Sequence, residues 1–355
     1  MNHKQNITAA LLVAAVGLLT ACGSPEPAKP ADESKAAVKP VTDQDRVQWY
    51  QDCWNDFNAH KWDDFKKCYA DNATSAQAGY GKADVTGPDA IVAGSQDFAK
   101  SFPDGMGEPQ LILVNGNKIA SLYVVKGTNS GPLKAPDGKE MPPTNKKFGL
   151  LVGHYIESGP AANSETVGGA IRSLRVVKEV AVMDGGTLAN QLGLSKNPAR
   201  PVMDKGAAMP QIVIAKNDET ERKNVELDKA AAEAFTKHDL AAADSFLADD
   251  VVIHDMTSPK DLTKKENSDM SKQFMTAFSD AKLNISSMWG AGDYVAVIGI
   301  FEGTNDGDFP AMQLKKTGKK VSLPFIGIDR FEGGKIKENW LIFDTAAFAA
   351  QLGMK

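Results

Sequence analysis

Histidine and cysteine are scarce in this 355-residue chain, which has five of the first and three of the second. No His-x-x-x-His or Cys-x-x-Cys occurs, so the sequence offers no spacing for a metal centre. No serine sits in a Gly-x-Ser-x-Gly elbow. Gly79-Tyr80-Gly81 lacks both the third glycine and the strand-to-helix setting of a dinucleotide-binding loop. Charge of one sign is also in short supply. A net charge of −5 is mild and argues against nucleic acid as a partner. Beyond Leu19 no segment is long and apolar enough to span a bilayer as a helix.

The N-terminus is built differently from the rest. Lys4 precedes an apolar run from Ile7 to Leu19, the layout of a signal peptide over residues 1–21. Leu19-Thr20-Ala21-Cys22 resembles a bacterial lipobox, with Cys22 as the lipidated residue; the alternative is a plain secretory signal with an incidental cysteine. Gly23 lacks the aspartate associated with inner-membrane retention, so the resemblance implies an envelope protein on the outer membrane, facing the periplasm. Its only membrane contact would be the lipid anchor. Residues 22–43 carry Pro25, Pro27, Pro30 and Pro40 among Ala, Lys, Glu and Ser, and read as a disordered tether.

With Cys22 lipidated, Cys53 and Cys68 remain, an even number in an oxidising compartment. His60 stands near the midpoint between them, in a break between two helical patterns. An antiparallel helical hairpin would bring the two sulfurs to similar heights, which favours a disulfide over two buried thiols. Such a loop contributes about 3 kcal/mol in the chain-entropy model.

The chain is written twice. Phe57-Asn58-Ala59-His60-Lys61-Trp62 matches Phe235-Thr236-Lys237-His238-Asp239-Leu240, and Phe98 and Phe102 match Phe274 and Phe278. Gly127-Thr128-Asn129-Ser130-Gly131 matches Gly303-Thr304-Asn305-Asp306-Gly307, and Asp184 matches Asp344, each with six residues between it and a Gln-Leu-Gly ending. Matches in the same order over so long a period indicate tandem domains, not a solenoid. We read domain 1 over 44–194, a linker over 195–218 and domain 2 over 219–355. Each copy opens with helical spacing, as in Val47, Tyr50, Trp54 and Phe57, and continues as alternating strands joined by turn signals such as Glu332-Gly333-Gly334-Lys335. Helices first and an antiparallel meander after them give an α+β class.

In that order the motifs are specific. Gly303 to Gly307, Met141-Pro142-Pro143-Thr144, Ile328 to Ile336, Trp340 to Asp344 and the terminal Gln-Leu-Gly resemble SnoaL-like polyketide-cyclase or ester-cyclase units of the nuclear transport factor 2-like superfamily. The resemblance implies two cone-shaped domains, each with three helices on a strongly curved sheet around a pocket. It also implies an intramolecular pseudo-dimer, a small hydrophobic or carbonyl-containing ligand, and cyclase or isomerase chemistry without a cofactor. The same fold serves binding and structural modules, so a non-catalytic envelope or interaction module is the competing expectation.

Candidate residues follow from strand phase. Trp340, Ile342 and Asp344 alternate on one face of the last strand. If that face lines the cone, an apolar setting raises the Asp344 carboxyl and suits it to proton transfer beside a carbonyl. The plainer role for Asp344 and Asp184 is a cap on the short helix that follows each. His254, where the first copy has Ala76, is the candidate acid–base partner of Asp344. His60 and His238 fit helix ends, His154 stands alone, and Arg330, adjacent to Asp329, reads as an ion-paired surface residue. Trp340 and His254 make the second copy the expected seat of chemistry.

Overall fold

In the computed structural model residues 41–78, 84–134, 139–160, 174–204, 206 and 209–354 are described. The signal segment, Cys22, nearly all of the tether, Gly79-Tyr80-Gly81 and most of the 158–170 loop lie outside them.

Local signals start and stop the helices. Thr42 and Asp45 form a capping box on α1 (Asp43–Asn58), and Asp218 caps α5 (Glu219–Thr236). Each of these helices ends on a histidine in the left-handed region, His60 at φ 54° and His238 at φ 60°. The chain then turns into α2 (Trp62–Lys66) or α6 (Leu240–Ser245). The repeated histidines are therefore turn residues. The Cys53–Cys68 disulfide is present, joining α1 to the approach of the first strand, with Cα atoms 6.1 Å apart.

The first half continues through β1 (Tyr69–Ala78), β2 (Val85–Thr86), α3 (Pro88–Ser101), β3 (Met106–Asn115), β4 (Lys118–Thr128), the ribbon β5 (Leu133–Lys134) and β6 (Glu140–Met141), β7 (Lys147–Pro160), β8 (Leu174–Val182) and α4 (Gly185–Gln191). In the join, β9 (Gln211–Ile214) pairs parallel with β3, so part of the expected linker is an edge strand of the first sheet. The second half follows with β10 (Leu247–Asp255), α7 (Lys264–Ala277), β11 (Lys282–Ala291), β12 (Tyr294–Thr304), β13 (Lys320–Glu332), β14 (Lys335–Ile342) and α8 (Thr345–Leu352). The sheets run β2-β1-β8-β7-β4-β3-β9 and β10-β14-β13-β12-β11, so five strands correspond in order. Pairing is antiparallel except β1 with β8, β10 with β14 and β3 with β9. The α+β, mainly antiparallel expectation holds in both halves.

Repeated motifs turn out to be structural fasteners. Buried Asn129 donates to the carbonyls of Ser101 and Gly131 and accepts from Thr144 N; buried Asn305 does the same with Ala277, Gly307 and Thr317. The glutamine of each Gln-Leu-Gly ending makes a two-way bond to a strand backbone, Gln191 with Gly149 and Gln351 with Ser322. The leucines are buried, and Gly193 and Gly353 close their helices at φ 73° and 71°.

Strand alternation now gains a sign. On β3, Leu111 and Leu113 face one cluster while Ile112 and Val114 join α1 in another. The first of these clusters also contains Trp289, Ile298, Ile326 and Ile342, so the outer faces of the two sheets pack on each other. Helices cover the inner faces. At Gly153 the two sheets come close: a Cβ there would lie 3.0 Å from both Ile326 Cβ and Ile342 Cδ1. Gly153→Val is expected to wedge this seam and cost about 2 kcal/mol in urea unfolding; an unchanged midpoint would contradict the close packing.

Candidate functional site

Asp184 and Asp344 meet at the seam. Asp344 Oδ1 accepts from Ala346 N of its own helix and from Gly185 N of the other, both at 2.9 Å. Asp184 accepts from Gly186 N (3.2 Å), Thr187 N (3.0 Å) and Thr187 Oγ1 (2.6 Å), and across the seam from Thr345 N (2.9 Å) and Thr345 Oγ1. Each aspartate thus caps its own helix and bonds to the start of its counterpart's. The remaining Asp344 oxygen, Oδ2, is buried without a partner among the described residues. Burial, with the nearby Asp184 charge adding to it, raises the Asp344 carboxyl to about 6. Beside the seam lies a cleft of about 10 Å³, room for a single water, lined in part by Asp184, Thr187, Arg200 and Met256.

The expected concave face needs correction. Ile342 belongs to the seam cluster and Trp340 packs against it, whereas Leu341 and Phe343 face the helix-covered interior. Alternation correctly grouped Trp340 with Ile342, but both faces of this sheet are apolar, so hydrophobicity alone could not tell inside from outside. His254 is on the outer face too. It stacks on Trp340 at 4.9 Å and pairs through Nδ1 with Asp261 (3.0 Å), not with Asp344. Arg200 from the join completes that group, 2.8 Å from Asp261. Arg330 is ion-paired with Glu338 and Glu332, as expected.

Inside the first cone is a relay that sequence reading missed. Tyr50 of α1 places its hydroxyl 2.6 Å from Ser121 Oγ on β4 and 2.7 Å from His154 Nδ1 on β7. His154 Nε2 lies 2.8 Å from Glu179 Oε1 on β8. From β1, Ser75 and Tyr69 both donate to Glu179, at 2.6 and 3.1 Å. Burial alone would raise the Glu179 carboxyl; the bonds from His154, Ser75 and Tyr69 outweigh it and hold the group below its ordinary value. An ionised Glu179 fixes the proton of His154 on Nε2, leaving Nδ1 to accept from Tyr50. Burial pushes the Tyr50 phenol up, so it gives its proton only in concert with an acceptor. Trp54 and Tyr123 set ring edges against the imidazole.

The strand registers show what the second cone has instead. His154 pairs with Ser121 as Gly327 pairs with Val297, and Ile156 pairs with Glu179 as Asp329 pairs with Asn339. Asp228 on α5 takes the place of Tyr50. Asn339 donates to Asp329 (2.8 Å), and Asp228 and Asp329 lie within hydrogen-bond reach of each other. Burial raises both carboxyls, Asp329 to about 6; the Asp329 charge lifts Asp228 further. The available signal was the lone His154 on an inward phase, set against a glycine in the other copy.

The family model for SnoaL-like polyketide cyclases matches residues 44–156 and 225–352. Similar solved structures include AclR of Streptomyces galilaeus, with 22% identity over 38% of this chain and 97% of its own, TM-score 0.35. Wild-type IdmH of Streptomyces antibioticus shares 24% identity over 37% and 99%, TM-score 0.33. TsrD of Streptomyces laurentii shares 17% over 39% and 100%, TM-score 0.35. No curated protein matches the chain.

Proposed function

Because the chain belongs to the SnoaL-like polyketide cyclase family in both halves, we propose that it binds a small hydrophobic or carbonyl-bearing compound and moves a proton on it without a cofactor. The observation that carries this reading is the Tyr50–His154–Glu179 relay, and it moves the seat of chemistry from the second copy to the first. A hydrogen on the carbon next to a carbonyl passes to the Tyr50 oxygen while the phenolic proton passes to His154 Nδ1. Glu179 stabilises the imidazolium that results. The enolate then takes a proton from Tyr50 at a new position, which isomerises the compound, or attacks a second carbonyl, whose oxygen takes that proton as the ring closes; in both cases His154 Nδ1 returns its proton to Tyr50. In our reading the fused halves stand in for a homodimer, and Cys22 anchors them to the envelope membrane. At the positions of this relay the second half has Asp228, Val297, Gly327 and Asn339, which favours a non-catalytic role for that half.

Native mass spectrometry with a panel of small ketones and diketones identifies ligands, and deuterium exchange at their α-carbons reads the chemistry. His154→Gln is expected to slow exchange by roughly 10²–10⁴-fold with ligand still bound. Ligand capture with no exchange in the unmodified protein would leave only the binding module.

A further inference from the structure

We propose that the second cone is a binding site for a small organic ammonium ion, held by the Asp228–Asp329 carboxyl pair. This goes beyond the acid–base reading of the first cone and uses none of its residues. Position comes first, since the pair occupies the level of the cone at which the first half has its relay.

Room comes second. Gly327 stands where the first cone has the His154 ring, and Asp228 where it has the Tyr50 ring. A Cβ built on Gly327 would meet nothing nearer than Val297 Cβ at 3.6 Å. The hydroxyl of Ser121 is replaced by the methyls of Val297, and Phe325 and Leu341 continue the apolar wall. Such a wall suits an alkyl substituent and offers it no hydrogen bond.

Asp228 and Asp329 are 5% and 6% exposed, and Asp228 Oδ2 has no partner among the described residues. Asn339 is the donor recorded on Asp329. Among the described residues no basic side chain pairs with either carboxyl, and Arg330, the next residue, is engaged by Glu332 and Glu338. A buried carboxylate without a counter-charge is costly, and buried charges are ordinarily paired. An ammonium group supplies both the charge and N–H donors for the unpartnered oxygen. A divalent metal fits less well, because Mg²⁺ or Ca²⁺ takes about six or more oxygens and the site presents two carboxyls and one amide. Above about pH 6 Asp329 is ionised, so binding should strengthen as pH rises through that value.

The test uses the complete mature protein near pH 7.5 with methylammonium chloride, tetramethylammonium chloride and sodium chloride at matched ionic strength. Thermal unfolding and carbon NMR of the aspartate carboxyls are the readouts. Methylammonium is expected to raise Tm and shift the Asp329 resonance. Tetramethylammonium, which has no N–H, should bind at least about tenfold more weakly. Asp329→Asn should abolish the response by removing the charge, and Gly327→Leu by filling the space while keeping both carboxyls. A response no larger than that of sodium chloride overturns the proposal, as does one retained in either variant. Methylammonium has no carbonyl, so absence of ketone exchange at the first cone leaves this test intact.

Discussion

Asp184→Ala is expected to destabilise the protein by about 3–5 kcal/mol, and Asp344→Ala by only about 1 kcal/mol. The asymmetry follows from what each carboxylate satisfies. Asp184 accepts bonds from three backbone N–H groups and two threonine hydroxyls, on both sides of the seam. Alanine there strands those donors in a site that is 2% exposed, and each stranded group costs its full desolvation penalty. Asp344 accepts from Gly185 N and Ala346 N through Oδ1, while its other oxygen is already unpartnered. Removing it also removes a carboxyl whose ionised form is disfavoured by burial, which offsets part of the loss. Urea unfolding of both variants at pH 7 measures the difference. Equal losses would mean that the two helix starts do not depend on Asp184 as the bonding pattern requires.

The repeat made much of the fold legible and misdirected the reading of the site. Duplicated Gly-Thr-Asn and Gln-Leu-Gly motifs fixed the element order because each does the same fastening job in both halves. The disulfide followed from two cysteines about one hairpin. The site was harder because a strand's alternation gives its two faces but not their identities. Once a second sheet covers the outer face, Trp340 and Ile342 look as core-like as Leu341 and Phe343. The relay was hidden for another reason. Tyr50, Ser121, His154 and Glu179 come from four elements spread between positions 50 and 179, and only the cone brings them together. What the sequence did contain was contrast: four inward positions polar in one copy and written as Asp228, Val297, Gly327 and Asn339 in the other.

Carboxyls buried in the core and at the seam make stability depend on pH. The buried carboxyls of Asp329 and Asp344 both titrate at about 6 in the folded protein, above the ordinary aspartate value of 3.8. For both, burial is the main cause. The folded state therefore holds more protons than the unfolded chain between about pH 4 and 6. Their contribution to stability is fully present below the unfolded value and is lost as pH rises through 6. Glu179 works in the opposite sense: its lowered carboxyl contributes stability above its unfolded value and loses it only under stronger acid. Burial raises Asp228 and Asp255 as well, in the same sense as Asp329 and Asp344, so the sum places maximum stability on the acidic side of neutrality. Lowering the pH from about 8 to about 5 should raise the unfolding free energy, with Asp329 and Asp344 together contributing roughly 2–3 kcal/mol, since each pKa unit is worth about 1.4 kcal/mol. Asp329→Asn combined with Asp344→Asn should reduce that slope by the share of these two groups, because neither amide titrates. Urea unfolding at a series of pH values tests both statements. A protein that loses stability over that range, or a double variant that keeps the wild-type slope, would locate the proton linkage elsewhere. The reduced slope would also separate charge from geometry at the seam: asparagine at 344 keeps an acceptor for Gly185 N and Ala346 N, so what it changes is the proton and not the clasp.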